Sequence, residues 1–260
     1  MKTERADSLL AARGLCESRE QAKRLILAGE VRSGDQPIAK PSHKLPLDAP
    51  LEIRERPKFV GRGGFKLEAA LDAFGIDPAG WVCLDVGAST GGFTDCLLQR
   101  GALRVHAVDV GTNQLVWKLR NDPRVVVREQ FNARHMRPED IGEMVRLAVM
   151  DLSFISLTKV LPAVFPVVAE QGGVVCLIKP QFELRREDVG KGGIVREPAL
   201  HARAVDGIRE FVLAQGWDWR GLIASPITGT DGNQEFLAWL GKPKGGPAPP
   251  GPGEQEGSMR

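Results

Sequence analysis

Two apolar runs that each end in a charged residue constrain this chain most. Arg146–Asp151 reads RLAVMD and Gly172–Lys179 reads GGVVCLIK. Runs this short, continuous and rich in β-branched residues form strands covered on both faces, the habit of parallel sheets flanked by helices. The pattern around them predicts helix 65–74, strand 81–86, helix 92–100, strand 104–109, helix 112–119 and strand 124–128. It continues with strand 146–151, helix 156–168, strand 173–178, helix 198–215 and strands 218–225 and 235–240. No helix separates the last two strands, so they are expected to pair antiparallel. The expected fold class is α/β, a Rossmann-like sheet over residues 65–240 preceded by a small α+β module. Ligands of such sheets bind beyond the carboxyl ends of the strands. Asp151 and Lys179 both fall there, which favours chemistry over structure.

The segment from Trp81 to Phe93 reads as strand, Gly-rich turn and helix start. Its residues Asp85, Gly87, Ala88, Ser89, Thr90, Gly91, Gly92 and Phe93 form a loop whose glycines admit close backbone approach to a ligand. The loop lacks the GxGxxG spacing that places a pyrophosphate on a helix N-terminus, and an acidic residue at the strand end repels phosphate. No GK[ST] follows for a P-loop. The next strand ends at Asp109–Val110, where a carboxylate suits ribose hydroxyls. A nucleoside without phosphates, S-adenosylmethionine, fits best, with Asp85 orienting its amino-acid end. A nicotinamide or flavin site is the competing reading. Asp122, Phe131 and Asn132 are candidates for the adenine wall, although Phe131 suits the core equally well.

Lys66, Asp151, Lys179 and Glu235 are the candidate catalytic set, and Asp151 also borders the cofactor. Base-directed methyl transfer calls for an Asn/Asp-Pro-Pro-aromatic grip or a loop cysteine; here the fourth strand leads into DLSFISL, and Cys176 lies inside a strand. A ribose hydroxyl is a poor nucleophile and needs a positioned base. Lys179 is the expected base, its proton loosened by like-charge repulsion from Lys66 and a sulfonium. Asp151 is expected to orient that amine and the hydroxyl, while Lys66 and Glu235 hold each other and position the ribose. The plainer alternative makes each lysine a surface group. Arg185, Arg186, Lys191 and Arg196, in the Gly-rich stretch after KPQFE, are expected to meet RNA, as are Lys58 and Arg62.

Residues 5–29 predict two short helices, with Ser18 capping the second and Ala22, Leu25, Ile26 and Leu27 turned inward. Arg13, Arg19, Lys23, Arg24 and Arg32 cluster around this pair. Such a patch can follow a phosphate backbone; a solvated face diluted by Glu17, Glu20 and Glu30 is the other possibility. Residues 1–60 hold 12 Lys/Arg against 9 Asp/Glu, while the whole chain nets +2. The four cysteines follow neither disulfide nor zinc spacing, so buried thiols are expected, and no metal site. No apolar stretch is long enough for a membrane span and no signal peptide is evident, which predicts a cytoplasmic protein without membrane or DNA partners. Residues 57–64 are expected as a linker. The last 20 residues, with 6 Gly and 5 Pro, are expected to be disordered.

Residues 1–56 resemble an S4-type RNA-binding domain. The matches are Arg5 and Asp7, Leu10, then Ser18, Arg19, Ala22, Leu25, Ile26, Gly29 and Val31, with Arg32-Ser33-Gly34 where the family has V-N-G. The likeness implies structured RNA as partner and adds Arg5 and Ser18 to the RNA-contacting set. Residues 1–240 resemble the TlyA family of ribosomal RNA 2′-O-methyltransferases, some of which are called haemolysins. Six motifs carry this: Lys66–Leu71, LDVGASTGGFT at Leu84–Thr94, NDPRV at Asn121–Val125, DLSFISL at Asp151–Leu157, KPQFE at Lys179–Glu183 and GNxE at Gly232–Glu235. The Lys-Asp-Lys-Glu set of FtsJ-like 2′-O-methyltransferases maps onto Lys66, Asp151, Lys179 and Glu235. The resemblance implies methylation of a cytidine ribose, with large-subunit RNA favoured. The family's Arg-x-Trp-Val linker is here Arg56-Pro-Lys58-Phe59-Val60. A non-catalytic assembly factor and a membrane-active haemolysin are the alternatives from other classes.

Overall fold

The computed structural model describes residues 2–54, 57–229 and 231–243. The chain forms two compact units, Met1–Lys58 and Phe59–Arg260. Phe59–Gly64, expected as linker, therefore belong to the second unit. The reason is packing: Phe59 is buried, its ring meets Phe65 edge-on at 5.2 Å, and a Cβ on Gly64 would lie 2.3 Å from it. The Val60 amide donates to Asp95 at 2.9 Å. Glu55, Arg56, and the Gly/Pro tail from 244 on lie outside the described residues.

The first unit comprises β1 (Thr3–Arg5), α1 (Ala6–Ala12), α2 (Arg19–Leu27), β2 (Val31–Ser33), β3 (Gln36–Pro37), β4 (Lys44–Pro46) and β5 (Glu52–Ile53). β1 pairs with β4, and β2 lies between β3 and β5. Leu9, Leu10, Ala22, Ile26 and Val31 build its core. The Ser18 hydroxyl accepts the Gln21 amide at 3.2 Å and starts α2. Leu27, expected to face inward, is 72% exposed. It lies one residue, about 100° of turn, past buried Ile26, so the narrow Ala22–Ile26 stripe excludes it. Buried Asp7 accepts Arg5 at 2.9 Å and Arg19 at 3.0 Å. The Arg5 hydrogen bond, above all, holds its carboxyl down to about 2.

The second unit begins with α3 (Gly63–Phe74), β6 (Val82–Val86), α4 (Gly92–Gln99), β7 (Arg104–Val108), α5 (Trp117–Arg120), β8 (Val125–Arg128) and α6 (Pro138–Ile141). It continues through β9 (Val145–Met150), α7 (Leu161–Val164), β10 (Val168–Ile178), α8 (Pro180–Glu183), α9 (Pro198–Ala214), β11 (Asp218–Ala224) and β12 (Phe236–Gly241). One seven-stranded sheet runs β11-β12-β10-β9-β6-β7-β8. Its five strands from β10 to β8 are parallel, and β12 is antiparallel to both β10 and β11. Alternate residues of β6 and β9 face two separate cores: Leu84 and Ala148 one, Cys83 and Leu147 the other.

Two expected helices differ. The stretch 156–168 breaks into a 3-10 turn, α7 and a second 3-10 turn, because Pro162 and Pro166 lack the amides a continuous helix needs. Of the helix expected over 112–119, only the part within α5, Trp117–Arg120, forms. There Glu129 draws off the amides of Asn113 and Gln114 and pairs with Arg120 at 2.5 Å. Strand order reverses between β6 and β9, the switch point at which open sheets bind ligands.

Candidate active site

At that switch point the Asp151 amide donates to the Val86 carbonyl, and a Cβ on Gly87 (φ +86°) would lie 2.6 Å from the Asp151 carbonyl. Only glycine permits this approach. Two cavities open here and share Gly87, Ser89, Asp151, Ser153 and Phe154 as lining. One, of about 500 Å³, runs along the β6–β7 ends past Asp109, Val110, Phe131 and Asn132. The other, of about 570 Å³, lies toward β10 and β12 and holds Arg62, Lys66, Lys179 and Glu235.

The four candidate catalytic residues come together as two ion pairs. Lys179, just past β10, has its Nζ 2.7 Å from Asp151 Oδ1 and donates to Ser153 at 3.1 Å. Lys66, on the first turns of α3, donates to Glu235 at 2.5 Å, and both are buried. Glu235 precedes β12, whose antiparallel pairing with β10 brings it beside Lys179's strand end. The pairing of Lys66 corrects one expectation. Its charge is compensated at close range by Glu235, so it presents no uncompensated cation to Lys179.

Asp109 lines the first cavity and accepts the amides of Ser89 at 2.8 Å and Gly111 at 2.7 Å. Its fixed carboxylate keeps acceptor capacity for further donors. Asn132 caps the next turn through Arg134, and Phe131 is half-buried at the cavity wall. Other loop residues do not border either cavity. Asp85 is fully buried; its Oδ2 accepts the Thr94 hydroxyl at 2.6 Å, which ties the loop to α4, while its Oδ1 has no protein partner among the described residues. Burial pushes its carboxyl up to about 7. Ala88, Gly91, Gly92 and Phe93 are buried, and Thr90 is exposed outside both linings. A Cβ on Gly92 would lie 3.0 Å from the Gly64 nitrogen. Asp122 pairs with Arg124 at 2.8 Å, away from the cavity.

The basic residues divide by use. Arg13 donates to the Ala49 and Leu47 carbonyls, Lys23 pairs with Glu20 at 2.6 Å, Arg32 reaches the Asp35 carbonyl at 3.5 Å, and Arg24 is exposed. Arg185 lies 3.6 Å from Glu187, and Arg186 opens a 3-10 turn. Sequence reasoning missed Gln114, Leu152, Ser153 and Ile155 beside the first cavity and Gln181, Phe182 and Asp231 beside the second. The visible signal was DLSFISL and KPQFE, each following a strand end. Cys83, Cys96 and Cys176 are buried as expected, whereas Cys16 is half-buried.

A profile described as FtsJ-like methyltransferase matches residues 59–242, and one described as S4 domain matches residues 4–49. A Mycobacterium tuberculosis protein named 16S/23S rRNA (cytidine-2′-O)-methyltransferase TlyA is 49% identical over 239 residues, 91% of this chain and 89% of that one. The chain belongs to the TlyA-like family of rRNA methyltransferases. Hemolysin A of Brachyspira hyodysenteriae is 44% identical over 235 residues, 90% of this chain and 98% of that protein. A solved structure of a hemolysin-named protein from Streptococcus thermophilus matches with TM-score 0.71 and 46% identity, covering 94% of this chain and 90% of that one. Membership makes the sheet unit an S-adenosylmethionine-dependent methyltransferase fold and the first unit an RNA-binding S4 domain. Among the described residues, no helix is long and apolar enough to cross a membrane.

Proposed function

We propose that this TlyA-like protein methylates the 2′-hydroxyl of a cytidine in ribosomal RNA, with large-subunit RNA among its substrates. The supporting observation is the pair of cavities that meet at Asp151, with Lys179 and the Lys66–Glu235 pair on one side only. The cavity past Asp109 suits a nucleoside cofactor: a carboxylate for ribose hydroxyls, Asn132 for a polar contact, and apolar walls from Val86, Val108, Phe131 and Ile155. S-adenosylmethionine, when bound there, supplies an electrophilic methyl carbon. Cytidine and the ribosomal subunits enter this reading through the name of the M. tuberculosis relative.

On the acceptor side, Lys179 is the group placed to take the hydroxyl proton; a bound S-adenosylmethionine would supply the methyl, its S–CH3 bond breaking as the ribose oxygen is methylated and the thioether S-adenosylhomocysteine leaving. Asp151, 2.7 Å away, stabilises the ammonium so formed and, with Ser153, fixes the amine's direction. Lys66 and Glu235 orient the ribose through donors and acceptors already locked by their own ion pair.

Purified protein is incubated with labelled S-adenosylmethionine and separated large and small ribosomal subunits, and the product is mapped by alkali-resistant linkages. The expected product is a 2′-O-methylcytidine. Lys179→Ala is expected to lose at least about 100-fold in rate, the scale of general base catalysis, while still binding the cofactor. A methyl group found on a base, or no transfer to either subunit, overturns the proposal.

A further inference from the structure

The GNxE motif contains a residue the catalytic scheme leaves idle. Asn233 is 1% exposed, two positions before Glu235. Its side-chain oxygen accepts the Val195 amide at 2.9 Å and its side-chain nitrogen donates to the Gly193 carbonyl at 2.9 Å. One buried amide thus grips both sides of a single bend in the Gly-rich stretch after KPQFE. Gly192 and Gly193 hold positive φ there, at +80° and +77°. The Val195 carbonyl is 2.9 Å from the His201 ring on α9, so this strap is tied at its far side as well.

The strap matters because Val189 and Gly193 line the acceptor cavity, together with Asp231 and Glu235 from the turn that carries Asn233. The same turn is closed on itself. The Asn233 carbonyl accepts the Gly229 amide at 2.9 Å, and the Ser225 amide donates to the Glu235 carbonyl at 2.8 Å. A Cβ on Gly229 would lie 2.6 Å from Glu235 Oε1, so bare backbone backs the carboxylate that holds Lys66. Two walls of the acceptor cavity are joined at one side chain. The cofactor cavity includes no residue of either.

We propose that Asn233 is a positioning residue for the RNA acceptor: it holds the 189–195 strap against the 231–235 turn and so fixes the acceptor cavity's outer wall. This rests on the methyltransferase reading above. A buried Asn with both ends satisfied specifies one loop conformation, because releasing the strap would leave two polar ends of the side chain and two backbone groups unpaired. The consequence falls on acceptor binding and not on cofactor binding.

The test uses the full chain with ribosomal subunits and compares wild type with Asn233→Ala and Asn233→Asp. The expected result for Asn233→Ala is an RNA KM raised about tenfold, with S-adenosylmethionine affinity within twofold. Trypsin is expected to cleave after Lys191 or Arg196 about tenfold faster than in wild type. Asn233→Asp keeps the acceptor for Val195 but not the donor for Gly193, and is expected to fall between. Equal losses of RNA and cofactor binding, or an unchanged RNA KM in a variant whose strap is cut faster, overturn the proposal. A wild-type protein inactive on every subunit would instead overturn the methyltransferase reading. Should Asn233→Ala not fold, Asn233→Asp with the same two readouts decides.

Discussion

Lys66 and Glu235 lie 169 positions apart in the chain yet form a nearly water-free ion pair, with side chains 10% and 3% exposed. Removing one member of such a pair leaves a buried charge without compensation, at a cost of about 3–5 kcal/mol. Lys66→Met is therefore expected to lower stability by that order, while Lys66→Met combined with Glu235→Leu recovers most of it and remains inactive. Thermal unfolding of the three proteins measures this; a single variant as stable as wild type would mean that water already shares the site. Asp85 sets the opposite case. Burial chiefly raises its carboxyl to about 7 from an ordinary 3.8, the neighbouring Asp151 and Asp109 charges adding to the shift and the Thr94 hydrogen bond opposing it. The folded state then holds a proton that the unfolded state releases, so stability falls as pH rises from about 4 to about 7 and levels off above. Asp85→Asn cannot show that slope. Between pH 5 and pH 8, wild type is expected to lose about 2–3 kcal/mol relative to this variant in urea unfolding, and parallel curves would refute the assignment.

At the scale of elements, the junction of β6 and β9 carries both cavities and rests on Gly87. Its φ of +86° and the Asp151 carbonyl 2.6 Å from any added Cβ make Gly87→Ala both strained and overpacked. A loss of about 1–3 kcal/mol is expected, along with loss of cofactor binding by calorimetry; retained binding would show that the strand ends can separate without harm. The strands were legible because their signals are local, with Asp151 and Lys179 marking the ends of two apolar runs, whereas Lys66 and Glu235 were named from motifs. What was not legible depends on neighbours. The stretch 156–168 reads as apolar and helical until Pro162 and Pro166 are weighed against their missing amides. The helix expected from residue 112 does not start there, because Glu129, from beyond β8, takes the amides of Asn113 and Gln114. Gly61–Gly64 look like linker, and only the packing of Gly64 on Phe59 and of Gly92 on Gly64 reveals them as part of the cofactor loop's support. Asp85 has a binding residue's motif position, yet its full burial and its hydrogen bond from Thr94 appear only in the structure. The lysine–carboxylate partners followed from the motif, but the compensation of Lys66 required distances.

For the whole molecule, the division at Lys58 predicts separable duties. Among the described residues, the core of the first unit draws on residues from Ala6 to Ile53 and the two cores of the second on residues from Phe59 onward. Each unit thus has its own apolar interior, the requirement for folding alone. Residues 59–260 are expected to bind S-adenosylmethionine as the full chain does but to bind ribosomal RNA more weakly. Charge sets how the weakening will look. Arg5 and Arg19 share the buried carboxylate of Asp7, and Lys23 is paired with Glu20, so the S4 unit offers RNA fewer net charges than its arginine count suggests. Each phosphate that the protein no longer neutralises flattens the plot of log affinity against log salt by roughly 0.7–0.9. Truncation is expected to flatten it by the equivalent of a few phosphates. In the full chain, Arg24→Ala should flatten it more than Lys23→Ala, because Glu20 already offsets the lysine. Fluorescence anisotropy with a ribosomal RNA fragment across a salt series gives these slopes. Identical slopes for the full and truncated chains would place the phosphate-binding groups on the sheet unit, where Arg62, Arg185 and Arg186 then become the residues to change.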